Sequence, residues 1–255
     1  MPTDRPNGSL YTKIENRVAT VEFGHPASNS LVPELLERLA DEFHKLSENK
    51  DVSLIVLRSE GERAFCAGAS FDELVAISNL EEGKAFFSGF ANVINAMRVC
   101  GKPIVGRVQG KAVGGGVGLA ATCDYVYATE AASIKLSEIS IGIAPLVIAP
   151  AVERKMGKAG FSELALDPTE WKNAYWAKEK GLFSKVFDSI AEMDKEMEFH
   201  MQKLASYNPE ALTEMKRVLW EGTDHWDKLL LARAEASGRL ALSPNTKAAL
   251  EKFKK

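Results

Sequence analysis

Lys111-Ala112-Val113-Gly114-Gly115-Gly116-Val117-Gly118 is followed twenty residues later by Glu138, in Leu136-Ser137-Glu138-Ile139. Three consecutive glycines between a strand-like run and a helix-like run let the backbone approach a group that a side chain would block. The first N–H groups of a helix are unpaired, and the dipole favours negative charge there. Burial among apolar neighbours disfavours the charged form of a lone carboxylate and raises its pKa. An amide-rich turn plus one acid therefore predicts stabilisation of an anion coupled to proton transfer.

Around the turn, residues 102–108 read as a strand, 116–121 as the start of a helix and 124–128 as another strand. Upstream, 10–14 and 17–23 read as a hairpin joined at Glu15-Asn16. Leu35, Leu36, Leu39 and Phe43 give helical spacing to 31–46, residues 53–58 form a buried strand, and 81–97 a second amphipathic helix. Strands alternating with helices require crossover connections and an α/β core. From about residue 191 the periodicity is helical throughout, broken at Asn208-Pro209, Gly222 and Ser243-Pro244. The expected organisation is a polar tail over 1–9, a core over 10–190 and a helical segment over 191–255. An array of helices this thin needs the core or another subunit to cover its apolar face.

The 255 residues are 45% hydrophobic and 26% charged, with a net charge of −3, enough for one large domain. No basic stripe points to nucleic acid. The longest apolar run, 139–152, contains two prolines and is too short for a bilayer. The first residues carry no apolar stretch, so no secretory signal is read, and a cytoplasmic location is expected. Cys66, Cys100 and Cys123 lack metal-ligand spacing and read as reduced thiols, and the four histidines are scattered. No metal site is expected.

A second run of small residues, Arg63-Ala64-Phe65-Cys66-Ala67-Gly68-Ala69-Ser70-Phe71-Asp72-Glu73, also enters a helix. Tight strand–helix packing explains either turn alone. Brought together, the two would form an oxyanion hole for a thioester carbonyl. Here the chain resembles the crotonase (enoyl-CoA hydratase/isomerase) superfamily. The matching residues are Ala64 to Ala69, Gly110 to Gly116, Leu119-Ala120 with Cys123-Asp124, and Ser137-Glu138 to Gly142. His25-Pro26-Ala27-Ser28-Asn29-Ser30-Leu31 looks like the family's early CoA-binding loop, and Gly181-Leu182-Phe183-Ser184-Lys185-Val186 like its late strand.

The resemblance implies an α/β spiral of ββα turns with a helical C-terminal trimerisation segment, assembled as a homo-trimer or hexamer. It implies acyl-CoA thioesters as substrates, with no cofactor beyond the CoA they carry. The oxyanion donors would be the N–H groups of Ala69 and Gly115. Substrate contacts would come from Ala27, Ala67, Gly68, Ser70, Phe71, Asp72 and Gly114. In the family's two-glutamate hydratases one glutamate lies three residues after the oxyanion glycine, and that position here is Gly118. The other matches Glu138, so one carboxylate of the pair is kept.

The favoured expectation is a hydratase or dehydratase that adds water syn to a short or branched enoyl-CoA. Gly142-Ile143-Ala144-Pro145-Leu146-Val147-Ile148-Ala149-Pro150 with Lys155-Met156-Gly157 resembles bacterial methylglutaconyl-CoA hydratases, and also the dehydratases of polyketide β-branching. The alternatives are a Δ3,Δ2-enoyl-CoA isomerase working with one glutamate and an inactive acyl-CoA-binding homologue. The family's 4-chlorobenzoyl-CoA dehalogenases need an aspartate where Leu146 stands. Lys135 and Arg154 are the nearest cations in sequence for a second substrate carboxylate, though solvated surface charge is the simpler reading. Asp124 reads as structural, and Asp72 and Glu73 suit a helix dipole. Trp171, Trp176, Trp220 and Trp226 read as core or interface anchors. Lys252, Lys254 and Lys255 read as a solvated tail that could approach a CoA phosphate.

Overall fold

The structure, a computed structural model, describes residues 5–253. The chain runs β1 (Ser9–Glu15), β2 (Val18–Gly24), α1 (Pro33–Glu48), β3 (Leu54–Ser59), β4 (Ala64–Cys66), α2 (Phe71–Ala76) and α3 (Leu80–Val99). Then come β5 (Ile104–Val108), β6 (Lys111–Val113), α4 (Gly115–Thr122), β7 (Tyr125–Thr129) and β8 (Ser133–Lys135). A 3-10 turn, Glu138–Ile141, leads to α5 (Ala149–Leu166), β9 (Lys172–Asn173), α6 (Ala174–Glu179) and β10 (Lys185–Phe187). Four helices close the chain: α7 (Ile190–Ala205), α8 (Pro209–Leu219), α9 (Trp226–Ala241) and α10 (Pro244–Phe253).

Two sheets result. One has the order β1-β2-β3-β5-β7-β10, parallel except for the β1–β2 hairpin. The other has the order β4-β6-β8-β9, with β4, β6 and β8 parallel. Each parallel neighbour needs a crossover, which the helices supply. The hairpin turn is Asn16-Arg17, one residue later than the sequence reading, and both residues have positive φ (50° and 66°). That is the turn whose twist matches paired strands. Arg17 Nε donates to Ser53 Oγ at 2.8 Å, which holds this unfavourable residue in place.

The main core gathers residues from β2, β3, α1, α3, α4 and α5, with Trp220 and Trp226 packed edge to face at 5.8 Å. A second cluster puts Met193, Met197 and Met201 of α7 under Leu54, Val56 and Tyr127. The apolar run at 139–152 is divided among the 3-10 turn, an irregular loop and the start of α5. Of the expected tail, Arg5 is ion-paired with Glu60 at 2.8 Å and Ser9 opens β1, so these residues are tied to the sheet. Residues 1–4, Lys254 and Lys255 lie outside the described residues. No helix among those described is long and apolar enough to cross a membrane, and no cluster of His, Cys, Asp and Glu could hold a metal ion.

The Asp124 side chain is nearly sealed, 5% exposed. Its carboxylate receives Lys216 Nζ at 2.9 Å and 3.1 Å, Trp220 Nε1 at 2.6 Å and the Ile104 N–H at 2.7 Å. Lys155 donates to its carbonyl at 2.8 Å. These contacts fasten α8 and α5 to the sheet and account for a residue read as structural.

Candidate functional site

Because β4, β6 and β8 are parallel neighbours, their carboxyl ends lie side by side. Ligand sites of open α/β sheets form at such ends. The loop after β4 carries Ala67-Gly68-Ala69, that after β6 carries Gly114-Gly115, and that after β8 carries Ser137-Glu138. The two small-residue turns meet closely. A methyl group added to Gly68 would stand 2.9 Å from the Val113 carbonyl and 3.6 Å from the Gly115 nitrogen. The first loop is further held by a bridge between Leu31 and Ala69, with Leu31 N donating to Gly68 O at 2.8 Å and Ser70 N to Leu31 O at 3.1 Å. That pairing leaves the Ala69 N–H unused. Among the described residues neither the Ala69 nor the Gly115 N–H has a hydrogen-bond acceptor. Gly115 is the first residue of α4, whose leading N–H groups have no partner within the helix.

A cavity of about 180 Å³ opens on these loops. Phe86, Phe87 and Phe90 of α3 form one wall, and the loop from Ile141 to Ile148 forms another. Glu138 is the only ionisable side chain in the lining, and no lysine, arginine or histidine reaches it among the described residues. The residue is half-buried, but its Oε2 is enclosed and has no hydrogen-bond partner. Burial pushes the Glu138 carboxyl up to about 7, against a smaller lowering by a hydrogen bond from its own backbone N–H. Gly114 has φ +51°, and a methyl group there would come within 2.8 Å of Glu138 Oε1. A side chain at Gly114 would therefore displace the acid. On the far side, α10 pins the loop after Glu138, since Thr246 Oγ1 donates to Gly142 O at 2.8 Å.

The expected residues divide in two. Ala67, Gly68, Ala69, Phe71, Gly114, Gly115 and Glu138 line the cavity, whereas Ala27, Ser70, Asp72 and Gly118 do not. Ala27 sits in an exposed turn whose neighbour Ser28 accepts from Ala67 N at 3.1 Å. Ser70 caps α2 by accepting from Glu73 N at 3.5 Å, and Asp72 is exposed in that helix's first turn. Lys135 lies over the exposed Trp171 ring at 4.5 Å, and Arg154 over Trp220 at 3.9 Å. Neither cation lines the cavity. Phe86, Phe87, Phe90 and Ser237 were not singled out from sequence, because their spacing on α3 and α9 is that of ordinary core positions.

Gly118 is fully enclosed in α4. A methyl group on it would overlap Ile148, which starts α5, with Ile148 Cβ only 2.8 Å away. The space beside Gly118 is thus filled by Ile148, the residue that leads into α5. Gly→Ala in a helix interior is ordinarily stabilising by about 1 kcal/mol. Here Gly118→Ala is expected to destabilise by ~1–3 kcal/mol through overpacking. In an Ile148→Ala background the added methyl has room and the penalty disappears. Urea denaturation of the four proteins in this double-mutant cycle checks both statements.

Residues 13–246 match the family model described as enoyl-CoA hydratase/isomerase. A peroxisomal Delta(3,5)-Delta(2,4)-dienoyl-CoA isomerase of Arabidopsis thaliana is 31% identical over 186 residues, which are 68% of this chain and 66% of that protein. The matched stretch thus spans about two thirds of that isomerase's length. A probable enoyl-CoA hydratase of Bacillus subtilis is 25% identical over 249 residues, covering 96% of this chain and 95% of that one. The crystal structure of an enoyl-CoA hydratase from Bacillus halodurans superposes with a TM-score of 0.88 at 19% identity, covering 95% of this chain and 99% of that one, a likeness of fold. With the family model spanning nearly the whole chain, the protein belongs to the enoyl-CoA hydratase/isomerase family.

Proposed function

We propose that the protein shifts the double bond of an acyl-CoA thioester, as a Δ3,Δ2-enoyl-CoA isomerase, with Glu138 as the sole proton carrier. The observation that carries this reading is the Ile148 side chain standing where a Gly118 substituent would go. Among the described residues Glu138 is left as the one ionisable group in an apolar cavity. Hydration by a single carboxylate asks that one group both activate water and return the proton to carbon, which two acids do more simply. A 1,3-proton shift asks only one carboxylate that can reach both carbons.

The step balances within the substrate. Glu138 takes the proton from C2 of a 3-enoyl thioester, and the C–H electron pair becomes the C2=C3 bond. The former C3=C4 pair receives the same proton at C4, and Glu138 is regenerated as carboxylate. In between, negative charge resides on the thioester oxygen. In this reading the Ala69 and Gly115 N–H groups, which have no other acceptor among the described residues, receive it. An acid with a pKa near neutrality both accepts and returns a proton without a large energetic penalty in either direction. The lining offers no cation to a second carboxylate, which favours an uncharged acyl chain over 3-methylglutaconyl-type substrates.

Incubation of 3-hexenoyl-CoA and crotonyl-CoA in ¹⁸O-labelled water tests the reading. The expected result is conversion of 3-hexenoyl-CoA to its 2-enoyl isomer with no ¹⁸O in any product. Formation of ¹⁸O-labelled 3-hydroxyacyl-CoA from crotonyl-CoA, without isomerisation, would establish the hydratase instead. Binding of both thioesters without turnover would leave an acyl-CoA-binding protein.

The pH dependence has a definite sign. The abstracting form of Glu138 is the carboxylate, and its pKa stands at about 7. In the free enzyme kcat/KM is expected to be level above that value and to fall tenfold per pH unit well below it. A profile flat from pH 5 to 8 rules out Glu138 as the base.

A further inference from the structure

Two buried polar atoms that lack a hydrogen-bond partner, Glu138 Oε2 and Ser237 Oγ, belong to residues lining the same cavity. A third such atom, Arg58 Nε, lies elsewhere and stands 2.7 Å from Glu22. Glu138 is accounted for by proton transfer. Ser237 is not. It is 1% exposed, on α9, in a stretch where that helix crosses α3. The crossing is close because glycines meet there: a methyl group on Gly83 would come within 2.9 Å of Gly238 Cα. This contact fixes the helix face next to Ser237 and leaves little freedom for α9 to turn.

A helical serine usually satisfies itself by donating to the carbonyl four residues earlier. Ser237 makes no such bond. Buried hydroxyls in native proteins are ordinarily paired, and an unpaired one at a ligand cavity points to a partner on the ligand. The other side chains in the lining are apolar apart from Ser137 and Glu138. We infer that Ser237 is a specificity residue, which hydrogen-bonds an uncharged oxygen substituent, a hydroxyl or keto group, on the acyl chain of the thioester. The absence of any lining cation excludes a carboxylate in that role. The inference rests on the acyl-thioester reading above but not on the isomerisation chemistry.

Saturated thioesters separate the two, because they bind without turning over. The experiment measures Kd by calorimetry for hexanoyl-CoA and for its 4-, 5- and 6-hydroxy derivatives, with wild-type protein and Ser237→Ala. One hydroxy position is expected to bind wild type about tenfold tighter than hexanoyl-CoA, the worth of one hydrogen bond in a dry site. Ser237→Ala is expected to erase that preference while leaving hexanoyl-CoA within about twofold. Its melting temperature should match wild type, since no hydrogen bond within the protein is lost. If no hydroxy derivative outbinds hexanoyl-CoA, or if Ser237→Ala keeps the preference, the inference is overturned. If no hexanoyl thioester binds at all, the thioester reading falls and takes the inference with it. Lack of isomerase activity alone touches neither.

Discussion

Glu138→Gln is expected to reduce kcat by about 10²–10⁴-fold, the usual contribution of a positioned acid–base group. The amide keeps the size and one acceptor oxygen of the carboxyl group but cannot carry the proton. The Kd for hexanoyl-CoA should change little, because the Ala69 and Gly115 N–H groups and the phenylalanine wall are untouched. Stopped-flow or coupled assays with 3-hexenoyl-CoA, alongside calorimetric binding, separate the two quantities. A variant that retains full turnover removes Glu138 from the mechanism. The same substitution is expected to raise stability at high pH. The folded-state pKa of Glu138 is raised to about 7, so its favourable contribution is present below the ordinary carboxylate pKa and is lost as pH rises through 7. Above pH 7 the wild-type protein buries an unpartnered charge that the glutamine does not have. Melting curves should therefore converge at pH 5 and separate at pH 8, with Glu138→Gln the more stable.

The second large effect concerns the buried clamp on Asp124. In Lys216→Met the carboxylate keeps Trp220 and the Ile104 N–H but loses its counter-charge in a site where both side chains are nearly sealed, 2% and 5% exposed. Removing one member of such a pair costs ~3–5 kcal/mol, since the remaining charge stays buried. Guanidinium denaturation should show a loss of that size. The double variant Lys216→Met/Asp124→Leu is expected to recover part of it, because neither member of the Lys216–Asp124 pair is then left buried without the other. A loss under 1 kcal/mol for the single change would mean that water reaches Asp124.

The parts of the molecule legible in the sequence are those whose signal is local. The hairpin, α1 and the strand before the glycine turn announce themselves by period and by turn residues. The raised pKa of Glu138 follows from its apolar neighbours in sequence as well as in space. Resemblance to a family brought the two small-residue turns together on paper, and the parallel pairing of β4, β6 and β8 supplies the physical reason that they meet. What the sequence hid is the cavity wall. Phe90 lies against Gly115 from a helix 25 residues upstream, and Ser237 comes from α9, 99 residues after Glu138. On their own helices these residues are indistinguishable from core positions. Ile148 was hidden differently. It lay in an apolar run read as a whole, and only the turn of the chain through the loop before α5 brings it over Gly118. Ala27 and Asp72, whose motif position suggests ligand contact, lie outside the cavity lining.

The contact between Gly118 and Ile148 also sets the order of an evolutionary path. A lineage moving between one-acid and two-acid chemistry on this scaffold loses stability if it begins by placing glutamate at 118, because the first carbon of that side chain already overlaps its neighbour. The less costly order shrinks position 148 first, a change that by itself brings no second acid and loosens the packing. The route therefore passes through an intermediate with nothing to recommend it to selection. In the opposite direction each step is downhill: loss of the glutamate opens space, and a larger residue at 148 then fills it. The isoleucine acts as a ratchet against adding a second acid at position 118.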